Sequence, residues 1–210
     1  MRSTLLISCI ILACGTAAVG EESSAAKERA SYIRSHYAKF EYKIPMRDGT
    51  KLFTAVYVPN AIHRGKKFPI LMSRTPYSVG PYGESSYPEV LGLSKAVEED
   101  GYIFVYQDVR GRWMSEGQFV DVRPKGPVDE ATDAYDTIDF LVKHVPASSG
   151  AVGVWGISYA GFYAAQAGID AHPALKAISP QAPVTDWFRG DDWHHNGALF
   201  LMDAFHFIQG

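Results

Sequence analysis

The chain has 210 residues, 47% of them apolar and 20% charged, which suits one globular domain or part of a larger one. Its 20 basic residues stand against 23 acidic ones, a formal charge of −3, and this excludes the basic footprint of a nucleic-acid-binding protein. No internal repeat and no low-complexity tract is visible.

The first twenty residues read as an export signal. Arg2 supplies the positive charge, and Leu5 to Ala13 is an apolar stretch too short to span a bilayer. Small residues for cleavage follow at Thr16-Ala17-Ala18 or Ala18-Val19-Gly20. Cys9 and Cys14 are the only cysteines and both lie in this segment. Cleavage after Ala18 or Gly20 leaves a mature chain with no disulfide and no cysteine-ligated metal. Ile11-Leu12-Ala13-Cys14 also resembles a lipoprotein cleavage box, so lipid anchoring at Cys14 is the lesser alternative to a periplasmic or secreted protein.

Residues 21–39 are polar and alanine-rich, a lead-in helix or linker. Phe40 to Ile44 alternates as a strand, Arg47-Asp48-Gly49-Thr50 supplies an Asp-Gly turn, and Lys51 to Val58 returns as a second strand. Phe68 to Ser73 is a buried strand, followed by a Gly/Pro/Tyr/Ser-rich loop from Ser78 to Pro88. A helix is expected over Val90 to Glu99 and a strand over Tyr102 to Gln107. Val128 to His144 carries the clearest helical spacing, with acids early and Lys143-His144 late. Ala151 to Trp155 is a strand, Tyr159 to Gly168 a helix and Leu175 to Ser179 a strand. An antiparallel hairpin, then strands alternating with helices, predicts an α/β fold with a mainly parallel sheet.

The segment Val152-Gly153-Val154-Trp155-Gly156-Ile157-Ser158-Tyr159-Ala160-Gly161 has the pattern of a nucleophile elbow. An apolar strand meets a Gly-x-Ser turn, and small residues let strand and helix approach closely. The first helical N–H groups then face the place where an oxyanion would form. Such a serine needs a base and an orienting acid. The 52 residues after Ser158 include Asp170, Asp186, Asp191, Asp192 and Asp203, with His172, His194, His195 and His206, but have room for only one more strand. His194 and His195 read as loop or surface histidines and as a poor metal site, because an adjacent pair cannot share a helical face. The catalytic Asp and His are therefore expected beyond Gly210, in a longer hydrolase of which this is an N-terminal portion.

Arg74-Thr75-Pro76-Tyr77, Asp108-Val109-Arg110-Gly111-Arg112, Ser115-Glu116-Gly117, Asp133-Ala134-Tyr135-Asp136-Thr137-Ile138 and Gly156-Ile157-Ser158-Tyr159-Ala160-Gly161 occur in this order. Together they resemble the Xaa-Pro dipeptidyl-peptidase-like serine hydrolases, the group containing cocaine esterase. Gly190-Asp191-Asp192-Trp193, after His172-Pro173-Ala174-Leu175-Lys176, is similar to the α-amino acid ester hydrolases of the glutaryl-7-aminocephalosporanic acid acylase type. The resemblance implies an α/β-hydrolase fold over residues 40–185 and the start of a helical cap over 186–210. It implies that Ser158 is the acylated nucleophile, that the Tyr159 backbone N–H and the Tyr77 hydroxyl are oxyanion donors, and that Asp192 helps bind a substrate α-ammonium group. Asp108, Arg110, Arg112 and Glu116 look catalytic in isolation. They read as structural, pairing with one another to hold the loop after a buried strand.

The expectation is an exported serine hydrolase that cleaves esters or amides of α-amino acids, with β-lactam acyl transfer as a variant. It requires no cofactor and no metal. Its partner is a small-molecule ester, amide or short peptide rather than nucleic acid, and a homo-oligomer is compatible with the sequence. The runner-up is an Xaa-Pro dipeptidyl-peptidase. The rival from another class is a non-catalytic, truncated binding protein that keeps the elbow without a working triad.

Overall fold

The computed structural model describes residues 24–60, 65–186, 188–190 and 192–209. The expected signal segment with Cys9 and Cys14, together with Trp187 and Asp191, lies outside the described residues. A helix α1 (Ser24–His36) leads into β1 (Tyr37–Pro45) and β2 (Lys51–Pro59). Then come β3 (Phe68–Thr75), α2 (Lys95–Asp100), β4 (Ile103–Asp108), α3 (Glu130–His144) and β5 (Ser148–Ile157). The chain continues through α4 (Tyr159–Gln166), β6 (Leu175–Gln181), the short strands β7 (His194–His195) and β8 (Ala198–Leu199), and α5 (Leu201–Gln209). No helix among the described residues is long and apolar enough to cross a membrane.

Six strands form one sheet in the order β1-β2-β4-β3-β5-β6. β1, β2 and β4 pair antiparallel, whereas β4, β3, β5 and β6 run parallel. This is the expected α/β arrangement, and both faces of the sheet are covered at its central strands. On one face Leu52, Val56, Ile70, Met72, Val105 and Val154 pack against Ala134, Ile138 and Leu141 of α3, Ala164 of α4 and Ala167 just after it. On the other, Phe53, Ala55, Tyr57 and Phe104 pack against Ile33 of α1 and against Val79 and Leu91 of the following loops. The two-residue period of β2 divides its side chains between these two cores, so the strand reads as an almost unbroken apolar run.

Three expectations shift. The first strand begins at Tyr37 rather than Phe40, because Tyr37 still pairs with Pro59 in the hairpin register. The helix expected over Val90 to Glu99 shrinks to α2. Ser94 caps it by accepting the Val97 N–H, and the buried Glu98 carboxylate instead takes the Leu91 N–H at 2.8 Å, which holds residues 90–94 out of the helix. The tail after Ser158 holds more than one strand, since β7 and β8 pair as a small hairpin after β6.

α3 begins at a capping box. The Asp129 side chain accepts the Thr132 N–H, and the Thr132 hydroxyl accepts the Asp129 N–H. Its first turn delivers Glu130 and Asp133 into the interior, where they meet the buried Arg74 and Arg110. Arg110 binds Asp133 through Nε and Nη2 at 3.0 and 2.6 Å, and Asp48 through Nη1 at 2.7 Å. This ionic cluster ties the β1–β2 turn and the ends of β3 and β4 to α3.

Candidate active site

The elbow is present in geometry. β5 ends at Ile157, α4 begins at Tyr159, and Ser158 occupies the single residue between them at φ 58°, ψ −119°. That is a left-handed φ in a non-glycine residue, a strained conformation that clusters at functional sites. The Ser158 hydroxyl makes no capping bond to its own helix. The residue is exposed, and its N–H donates to the Gln181 carbonyl of β6 at 2.9 Å. Gly156 is required by contact rather than by φ. A Cβ there would fall 2.1 Å from the Ala160 carbonyl oxygen, so this glycine lets α4 fold back onto the strand.

Tyr77 follows the end of β3 by two residues. Its N–H donates to Thr75 Oγ1 at 3.1 Å, and the preceding Pro76 carbonyl accepts both Arg112 Nε at 3.0 Å and Trp113 Nε1 at 2.9 Å. The Tyr77 ring lies edge-on to Tyr159, with centroids 6.2 Å apart. Burial, then the Asp121 carboxylate, and more weakly Asp192, hold the Tyr77 phenol above its ordinary pKa, against the opposing pull of Arg112. The phenol is therefore protonated at neutral pH and able to donate.

One cavity of about 200 Å³ collects Ser158, Tyr77, Tyr159 and Asp192 with Trp193, Asp121, Arg112, Phe119, Val184 and Pro76. All four residues singled out from the sequence line it, although they come from three separate parts of the chain. A wider cleft of about 600 Å³, between α1 and residues 81–89, contains none of them. We assign the site by chemistry rather than by volume. Among the described residues, no histidine lines the Ser158 cavity.

Asp108, Arg110, Arg112 and Glu116 do not pair with one another as expected; each tethers a different segment. Buried Asp108 accepts the Val79 N–H, the Tyr82 hydroxyl and the Met114 N–H. Glu116 accepts the Lys51 N–H, and Arg112 reaches Pro76 and lines the cavity. Asp192 precedes β7 in a bend. His172 is structural, with Nδ1 accepting the Ala174 N–H and its ring against Tyr135. Asp121, Phe119 and Val184 were not found from the sequence. They belong to no motif, and only loop packing brings them to the serine.

A family profile described as X-Pro dipeptidyl-peptidase (S15 family) matches residues 48–209. The chain belongs to that family. Cocaine esterase of Rhodococcus sp. (strain MB1 Bresler) is 35% identical over 161 residues, which is 77% of this chain and 26% of the esterase. A solved α-amino acid ester hydrolase superposes with a TM-score of 0.69 at 39% identity, over 90% of this chain and 31% of that one. An aminopeptidase from a marine sediment Thaumarchaeota archaeon superposes with a TM-score of 0.71 at 36% identity, over the same shares. The sheet with its elbow is that of the α/β-hydrolase fold. The chain spans about a quarter to a third of the length of these relatives.

Proposed function

We propose that this S15-family chain is the nucleophile-bearing part of an exported serine hydrolase that cleaves esters or amides of α-amino acids. The observation that carries the reading is the strained Ser158, exposed between β5 and α4 and opening into a cavity shared with Tyr77 and Asp192. Ser158 Oγ attacks the substrate carbonyl and passes its proton to a general base, which we place outside the described residues because no described histidine lines the cavity. The oxyanion is held by the Tyr159 N–H and the Tyr77 hydroxyl. Collapse of the tetrahedral intermediate expels the alcohol or amine, which takes up the proton from the base and leaves an acyl-Ser158 ester. Water attacks that ester in hydrolysis; a β-lactam amine attacking instead gives acyl transfer. Asp192 supplies negative charge at the cavity for a substrate α-ammonium group. The apolar stretch from Leu5 to Ala13, preceded by Arg2, supports export.

A second reading, removal of an Xaa-Pro dipeptide from a peptide N-terminus, is supported by the description of the family itself. It uses the same nucleophile and the same free amine, so parallel assays on an amino acid ester and an Xaa-Pro amide separate the two. A non-catalytic binding protein remains the rival from another class. The deciding experiment is fluorophosphonate labelling of the intact protein, followed by peptide mapping. We expect the label on Ser158 and its loss, with all turnover, in Ser158→Ala of unchanged thermal midpoint. Turnover retained in that variant removes Ser158 from the chemistry, and absence of both label and turnover in the parent favours the binding protein.

A further inference from the structure

The loop from Gln118 to Val122 lies outside every motif, yet it grips the residue next to the nucleophile. Val122 has φ 39°, a left-handed conformation that a β-branched side chain adopts only when its surroundings impose it. In that conformation the Val122 N–H donates to the Tyr159 hydroxyl at 2.9 Å. The same hydroxyl donates to Asp121 Oδ1. Two consecutive residues of one loop therefore hold the acceptor and the donor side of one phenol.

The grip is supported from below. Val122 packs against the cluster of Val109, Phe162 and Tyr163, and the Tyr159 ring stacks on Tyr163 with centroids 5.2 Å apart. Gly111, at φ +71°, permits the loop to lie there, since a Cβ would fall 2.0 Å from the Phe119 nitrogen. Burial, and then the bond to Asp121, push the Tyr159 phenol up, so it stays protonated as the donor to Asp121. Asp121 itself is exposed, so its carboxylate is not part of the core.

We propose that Asp121 is a positioning residue for acyl transfer at Ser158, acting through the Tyr159 hydroxyl to hold the Ser158–Tyr159 peptide with its N–H aimed at the oxyanion. This rests on the reading of Ser158 as nucleophile. The physical reason is that Ser158 sits at a strained φ, and a strained peptide relaxes when its restraints are removed. An oxyanion donor functions only when held within a few tenths of an ångström of its productive position. A charge-assisted bond to a carboxylate is roughly twice as strong as a neutral one. Tyr159 is anchored at both ends, by α4 through its backbone and by residues 121–122 through its side chain.

The test is steady-state kinetics of the intact protein on an α-amino acid ester and on its deaminated analogue, with fluorophosphonate labelling alongside. Asp121→Ala is expected to lower kcat about 10–100-fold on both substrates, with KM changed less than threefold, as for an interaction made mainly in the transition state. Tyr159→Phe is expected to match it, and the double variant to fall no further, because both remove the same bond. Asp121→Asn, whose amide oxygen still accepts from Tyr159, is expected to keep at least a third of kcat. Unchanged kcat in Asp121→Ala overturns the proposal, as does a loss confined to KM for the amine-bearing ester, which would make Asp121 a substrate contact. Multiplying losses in the double variant overturn it as well. Label on a residue other than Ser158 in the parent overturns the nucleophile reading, and this proposal with it. That outcome is read before any Asp121 variant is made.

Discussion

Trp113 donates its indole N–H to the Pro76 carbonyl oxygen at 2.9 Å, and so an exposed tryptophan fixes the peptide that carries Tyr77. Arg112 Nε shares that acceptor at 3.0 Å. Trp113→Phe keeps an aromatic ring, though a smaller one, and removes the bond. A neutral hydrogen bond contributes about 1 kcal/mol, so kcat on an ester substrate is expected to fall about fivefold with KM unchanged. Chemical denaturation should show a stability change below about 1 kcal/mol, since the ring is 59% exposed. A rise in KM alone would place Trp113 on the substrate rather than behind Tyr77.

Asp192 reaches the Ser158 cavity from the segment before β7. Asp192→Asn removes its charge while keeping its shape. A charged hydrogen bond contributes about 1.5–3 kcal/mol, so KM for an α-amino acid ester is expected to rise about 10-fold or more. The deaminated analogue should change less than twofold. Equal changes on both substrates would assign Asp192 a structural role.

The interior cluster makes a prediction about folding rather than catalysis. Asp133 is fully buried and binds Arg110 at 2.6 Å, with Arg74 at 3.8 Å. Removing one partner from a buried ionic group leaves the others uncompensated, so Asp133→Ala is expected to lose about 3–5 kcal/mol. Urea denaturation measures it. A loss under about 1 kcal/mol would mean that water reaches the cluster.

Asp48 gives the fold an acid-side pH dependence. The bonded Arg110 guanidinium holds its carboxyl below the ordinary carboxylate range. A depressed carboxylate stabilises the fold above its unfolded pKa, about 4, and that contribution disappears as pH falls through the lower folded value. Asp108 and Glu130, both pushed up by burial, act with the opposite sign, so the informative quantity is a difference between proteins. Asp48→Asn is expected to lose less stability than the parent between pH 7 and pH 3. The gap should be below about 1 kcal/mol, because Asp48 is partly exposed. Parallel urea midpoints at the two pH values test this; identical slopes would contradict it.

Elements whose signal is local were legible in the sequence. The Asp-Gly turn placed the first hairpin, and the helical period with its early acids placed α3. The Gly-x-Ser step after a β-branched strand placed the elbow, because close approach of strand and helix demands small residues at fixed positions. Elements whose extent depends on a distant partner were misjudged. β1 begins where Pro59 still pairs with it, and α2 begins only after the Glu98 carboxylate has taken the Leu91 N–H.

The residues alone determined the α/β class and the serine turn, because short-range periodicity and turn patterns are properties of neighbours along the chain, whereas Tyr77, Tyr159 and Asp192 became candidates only through the resemblance that the ordered motifs carry. Only the tertiary structure decided that these residues share one cavity. It also decided that Arg112 and Trp113 meet on one carbonyl, and that Asp121 and Val122 close on the Tyr159 hydroxyl. Those contacts join loops with no common period or spacing. They exist because the parallel strands β3, β4 and β5 bring their C-terminal ends, and the loops that follow, to the same edge of the sheet.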